Sequence, residues 1–141
     1  MTAMNTSRAH GFTLLELMIV VMVVAILAAI AIPNYGRYAY RARRADAQNL
    51  LQHIATSQER YYSTYNKYTD DLTQFGYPAS GAESEHGYYI VTMALTGTDG
   101  QGYTATATPQ GAQTGDACNR LSFSNTGAKG YNGNESNGKC W

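Results

Sequence analysis

A chain of 141 residues is long enough for one small domain plus an extension, and ten Lys and Arg against ten Asp and Glu leave it without net charge. That balance excludes a strongly basic nucleic-acid binder taken as a whole. Twelve Tyr beside three Phe and one Trp favour a thin domain pressed against other protein, because a tyrosine ring packs while its hydroxyl stays wet.

Residues 17–32 are uninterruptedly apolar. As an α-helix, 12–32 would be about 31 Å long, the thickness of a bilayer's hydrocarbon core, so the segment can span once. Glu16 stands near its start, where a charge inside a membrane helix costs about 2.5–3.5 kcal/mol and marks a partner or a function. The weakly basic start (Arg8, His10) is reminiscent of a secretory signal, but the order of parts is wrong. The small-residue junction Gly11/Phe12 precedes the apolar core, so a cut there leaves the helix on the mature chain.

The run GFTLLELMIVVMVVAILAAIAIPNY (11–35) resembles the N-terminus of type IV prepilins, closely through about residue 55. The stretch CNRLSFSNTGAKG (118–130) is similar, more loosely, to PilE-like pilins. The resemblance implies a leader at 1–11, cleaved by prepilin peptidase between Gly11 and Phe12, with N-methylation of the new Phe12 amine. It further implies a transmembrane and filament-core helix at 12–33 and a periplasmic globular domain at 34–141 that includes the second half of the helix. Glu16 would meet the Phe12 amine of a neighbouring subunit, a pairing that offsets desolvation only in the correct register. Loss of Arg8 with the leader changes the net charge from zero to −1, nine basic against ten acidic side chains.

Farther along, Pro33 lacks the amide that would bond residue 29, and Gly36 follows, so a kink or loosening is expected there. The helical pattern resumes with Ala47, Leu50, Leu51, Ile54, Gln58, Tyr61, Tyr62 and Tyr65, one apolar stripe that needs a sheet to cover it. Arg37, Arg41, Arg43 and Arg44 follow the apolar run while Arg8 alone precedes it, which by the positive-inside rule would hold the domain in the cytoplasm. The prepilin-like leader and the Cys pair require it outside and take precedence. These four arginines read as headgroup contacts before assembly and a solvated filament face after it; capture of DNA phosphates is the less favoured reading.

Residues 66–87, rich in Tyr, Asp, Ser and Gly, are expected to form an irregular connection. Period-two alternation then predicts strands at 88–96, 103–108 and 121–124, with Asp99-Gly100 as a hairpin signal between the first two. A fourth at 129–132 would be interrupted by Gly127, Gly130 and Gly133. Cys118 and Cys140 fit no zinc spacing and read as a disulfide, placed like the family's disulfide-bounded region. Nothing converges on catalysis or a cofactor: His10 lies in the leader, His53 lies beside the apolar stripe, and Glu83, Glu85 and His86 offer an ion too few fixed ligands.

The expectation is therefore an α+β pilin fold, a long N-terminal helix packed on a small antiparallel sheet. Its role would be that of a non-enzymatic pilus subunit of a Gram-negative bacterium, a PilE-like minor pilin supporting twitching motility, adhesion or DNA uptake. It would sit in the inner membrane before assembly and in the extracellular pilus afterwards. Its partners would be other pilins, prepilin peptidase, the inner-membrane pilus machinery and, before assembly, the lipid bilayer. The alternatives are a major pilin, a type II secretion pseudopilin, and a DNA-receptor or adhesin pilin.

Overall fold

The computed structural model describes residues 11–141; the leader expected at 1–11, with Arg8 and His10, lies outside them save for Gly11. Helix α1, Leu14–Tyr65, is followed by five strands: β1 (Ala82–Glu83), β2 (Tyr89–Thr96), β3 (Gly102–Pro109), β4 (Leu121–Ser124) and β5 (Lys129–Tyr131). The chain divides into two compact units, the first ending at Tyr35 and the second beginning at Gly36. The helical assignment is continuous across Pro33 and Gly36.

In the first unit, residues 17–32 are exposed along the helix apart from the half-buried Ala28, every large apolar side chain at 50% or more. A surface of that size and composition belongs against lipid or other protein.

The second unit is built on the helix stripe. Ala47, Leu51 and Ile54 are buried, with Gln58 on the same face, as three- and four-residue spacing dictates. Tyr65, counted in the stripe from sequence, is exposed. The sheet is an antiparallel meander in the order β1-β2-β3-β4-β5. Its central strand β3 points Tyr103, Ala105 and Ala107 inward and alternates them with half-exposed threonines. Small alanines on that face let the helix approach, and Leu51, Ile54, Tyr89, Val91 and Leu121 complete one core. The β2–β3 hairpin closes through Asp99 (φ 58°) and Gly100 (φ 72°), the positive pair that a primed turn requires and that Asp-Gly supplies at little cost.

One sequence expectation needs correction. The 66–87 segment is not wholly irregular: it carries a 3₁₀ turn, Leu72–Phe75, capped by the Asp71 side chain on the Thr73 amide (3.0 Å), and strand β1. Two-residue strands are too short for alternation to register, which is why β1 is invisible in the sequence. The glycine-interrupted fourth strand does form, at Lys129–Tyr131, pairing Leu121 with Tyr131 and Phe123 with Lys129. Gly130 is tolerated because it lies opposite Ser122, whose Oγ would sit 2.6 Å from an added Cβ.

Candidate functional site

Three places carry chemistry, and each is built from the sequence upward. At the start of α1, the Thr13 hydroxyl accepts a hydrogen bond from the Glu16 amide (3.2 Å). Thr13-Leu14-Leu15-Glu16 therefore has the spacing of a capping box, a signal legible ahead of any apolar run and overlooked as long as Glu16 is read as a lone membrane charge. Glu16 lies in the first helical turn, where the macrodipole favours a carboxylate. Phe12 is 82% exposed, and Gly11 has open space around it.

The second place is the C-terminal loop. Cys118 and Cys140 form a disulfide, Cα atoms 5.6 Å apart, and both are buried in the core. Beside it lies Arg44, 2% exposed. Its Nε donates to Asp116 Oδ2 (2.7 Å) and Nη2 to Asp116 Oδ1 (2.6 Å). Nη1 donates to the carbonyls of Gly138 (3.2 Å) and Lys139 (2.7 Å), and Nη2 also donates to Asn137 Oδ1. All five guanidinium donors thus have acceptors, the condition under which a buried arginine is tolerated. Burial alone would raise the Asp116 carboxyl, but hydrogen bonds from Arg44, Asn137 and the Cys118 amide overcome it and hold the group below its ordinary range. Gln113 Nε2 extends the network to Asp116 Oδ2 and the Tyr89 hydroxyl (3.0 Å each).

Arg44 therefore leaves the group to which the sequence assigned it. It is no headgroup contact or solvated face, because one residue's difference in helical phase turns it onto the buried side with Ala47 and Leu51. Arg43 instead lays its guanidinium over the Tyr88 ring, 4.8 Å from the centroid, while Arg37 and Arg41 are exposed.

The rim of this loop gathers cations and aromatics that the sequence scatters. Lys129 Nζ lies over the Trp141 ring at 5.2 Å, and Trp141 Nε1 donates to the Gly130 carbonyl (2.9 Å). Tyr131, 47% exposed, is two residues from Lys129 on the edge strand and so shares its face. Arg120 and Lys139, both exposed, adjoin β4 and Cys140 in the chain.

The third place is the cleft between α1 and the β1 region, about 360 Å³, lined by Asp46, Asn49, Leu50, His53, Tyr77, Glu83 and Glu85. His86 turns to Asp46 (Nδ1 to Oδ1, 3.1 Å) rather than joining Glu83 and Glu85, and Tyr77 engages His53 Nδ1 (3.0 Å). Among the described residues no three His, Cys, Asp or Glu side chains converge as a metal site.

Comparison with known proteins gives a consistent picture. Residues 33–122 match the family described as "Type IV minor pilin ComP, DNA uptake sequence receptor", and residues 6–32 match the "Prokaryotic N-terminal methylation motif". The chain is 39% identical over 88 residues to the type IV major pilin protein PilA of Myxococcus xanthus, covering 62% of this chain and 39% of that protein. It is 39% identical over 87 residues to a type IV major pilin protein PilE1 of Neisseria gonorrhoeae, covering 62% and 52% respectively. The chain thus spans about half the length of these curated relatives, or less. Among solved structures, a type IV pilin from Shewanella oneidensis matches with a TM-score of 0.51 and 29% identity, covering 72% of this chain and 97% of that one. The Neisseria meningitidis minor pilin PilV shares the fold, with a TM-score of 0.54 at 22% identity, covering 73% and 94%.

Proposed function

The chain belongs to the type IV pilins, and from that premise we propose that it is a minor pilin that captures DNA on the rim of its disulfide-closed loop. The observation that carries this reading is the clustering of Lys129, Tyr131 and Trp141 at the β5 edge; Arg120 and Lys139 are exposed and lie next to β4 and Cys140 in the chain. Cations supply the attraction to phosphate, and the exposed Tyr131 ring, beside the half-buried Trp141, supplies stacking to bases, a combination absent from the acidic cleft beside Asp46. The family matched by residues 33–122, most of which lie in the globular unit, is described as a DNA uptake sequence receptor, and this supports the same choice. The arginines after the apolar run, favoured as DNA ligands only weakly from sequence, lose their most buried member to the fold.

The remaining steps follow from the N-terminal segment. Cleavage between Gly11 and Phe12 frees the Phe12 amine, which is then methylated in a separate methyl-transfer step, the helix at 12–33 anchors the chain in the inner membrane with the globular domain at 34–141 in the periplasm, and Pro33 with Gly36 loosens the helix. On extraction into the filament by the inner-membrane pilus machinery, Glu16 pairs with a neighbour's Phe12 amine. The match of residues 6–32 to a methylation motif supports this order.

The test uses filaments sheared from cells carrying the full-length chain and a short DNA duplex. Lys129→Gln, Arg120→Gln and Lys139→Gln should each weaken binding and lower the slope of log affinity against log salt by about 0.9 for each phosphate left without its cation. Trp141→Ala should weaken binding without changing that slope. Filaments that bind duplex equally well with and without this subunit would refute the reading.

A further inference from the structure

We propose that Arg44 is a positioning residue for DNA capture: it touches no DNA, and it sets the place of the tail that follows β5, and so of Trp141, the ring over which the Lys129 side chain is held beside Tyr131. The inference rests on the DNA-binding reading above. A disulfide joins the two limbs at one point; β4 and β5 between them are held by the sheet, but the leaving limb after β5 has no strand of its own to fix it. Arg44 adds what the bond lacks. It holds Asp116 on the entering limb and Asn137, Gly138 and Lys139 on the leaving limb, and it ties both to the helix that carries it. Asn137 Nδ2 closes the ring by donating to Asp116 Oδ1 (3.0 Å), and Gln48 Nε2 reaches the Cys140 carbonyl (3.3 Å).

The consequence reaches the rim directly. Trp141 follows Cys140 in the chain, and its ring hydrogen-bonds Gly130 while lying beneath Lys129. The leaving limb therefore sets where that ring sits, and the ring sets where the lysine is held. Only arginine can do this, because the five acceptors need five donors in a planar fork, and lysine offers three from one nitrogen. A loop released from the fork spends part of its time in other shapes, and apparent affinity falls in proportion to the competent fraction. The number of phosphates met in the bound state stays the same.

The experiment measures duplex affinity across a range of salt for full-length protein in filaments, together with the fluorescence of Trp141, the one tryptophan in the chain. Arg44→Lys should form the disulfide, bind about tenfold more weakly if the competent loop is populated one time in ten, and keep the wild-type salt slope. Asn137→Ala, which removes one tie and no charge, should fall between the two and guard against a folding defect in the first variant. Both should shift Trp141 emission to the red before DNA is added. Unchanged affinity in Arg44→Lys would overturn the proposal, as would a slope lowered by about 0.9 in Arg44→Met, since that marks a direct phosphate contact. If wild-type filaments bind no DNA, the functional reading fails by itself. Trp141 emission and loop proteolysis then decide whether Arg44 positions the loop, and wild-type values for both in Arg44→Lys would end the claim.

Discussion

At Glu16 two forces act on one carboxylate. Its place in the first turn, with its amide held by the Thr13 hydroxyl, gives it a reason to exist within a single chain, worth about 0.3–1 kcal/mol through the helix dipole. The proposed pairing with a neighbour's amine would give it a second reason, present only in the filament. The two separate by substitution. Thr13→Ala removes the cap, costs about 1 kcal/mol in helix stability and keeps the charge, so incorporation should fall only mildly. If the proposed pairing holds, Glu16→Ala should leave membrane insertion intact and sharply reduce incorporation, because the neighbour's Phe12 amine would be left uncompensated in an apolar core. The ratio of this chain in sheared pili to that in membranes checks both, with N-terminal analysis confirming that each mature chain begins at a methylated Phe12. Equal incorporation of the two variants would assign Glu16 to capping alone.

At the scale of elements, the helix stripe and the disulfide loop carry separate shares of stability. Leu51 is fully buried among Ile54, Tyr89 and the β3 alanines, so Leu51→Ala should cost about 2–5 kcal/mol in thermal or denaturant unfolding. Tyr65 belongs to the same sequence stripe but is 58% exposed, and its truncation should change stability little. Replacing Cys118 and Cys140 by Ser should cost about 3.4 kcal/mol in the loop-entropy model. Non-reducing peptide mapping of wild-type protein should recover the linked pair. The helix, the β2–β3 hairpin and β4 were legible because each is long enough for its period, or its turn chemistry, to repeat. Strand β1 was not and β5 only faintly, because pairing to a neighbour already in place stabilises two or three residues that have little pattern of their own.

For the molecule as a whole, buried titratable groups set the pH range of the fold. Asp116 is held below its ordinary range in the folded state, so its contribution is full above about pH 4 and is lost as the pH falls through the folded value. Burial pushes Tyr89 and Tyr103 up to about 12. Their phenols would ionise near pH 10 once unfolded, so this contribution is present below about pH 10 and is lost as pH rises toward the folded values. Denaturant midpoints should therefore hold level across neutral pH and fall on both sides, the acid limb becoming shallower in Asp116→Asn while the lowered Asp46 and Asp71 carboxyls keep part of it. Tyrosinate absorbance should show Tyr89 and Tyr103 titrating last, after Tyr68 and Tyr77, which burial also raises, and Tyr89→Phe should remove one of the two latest phenols.

The sequence by itself determined the apolar segment, its single carboxylate, the amphipathic stripe, the alternating strands and the Cys pair, because each is local: a period, a spacing or a composition read within a few turns of chain. Tertiary structure decided what those parts do to one another. Arg44 looks like three neighbouring arginines until Asp116, Asn137 and two carbonyls some 72 to 95 residues away surround it. Lys129, Tyr131 and Trp141 become one surface only when β5 joins β4 and the disulfide folds the tail back. Burial and hydrogen-bond satisfaction are properties of a residue's surroundings in space, and no local pattern encodes surroundings supplied by distant chain.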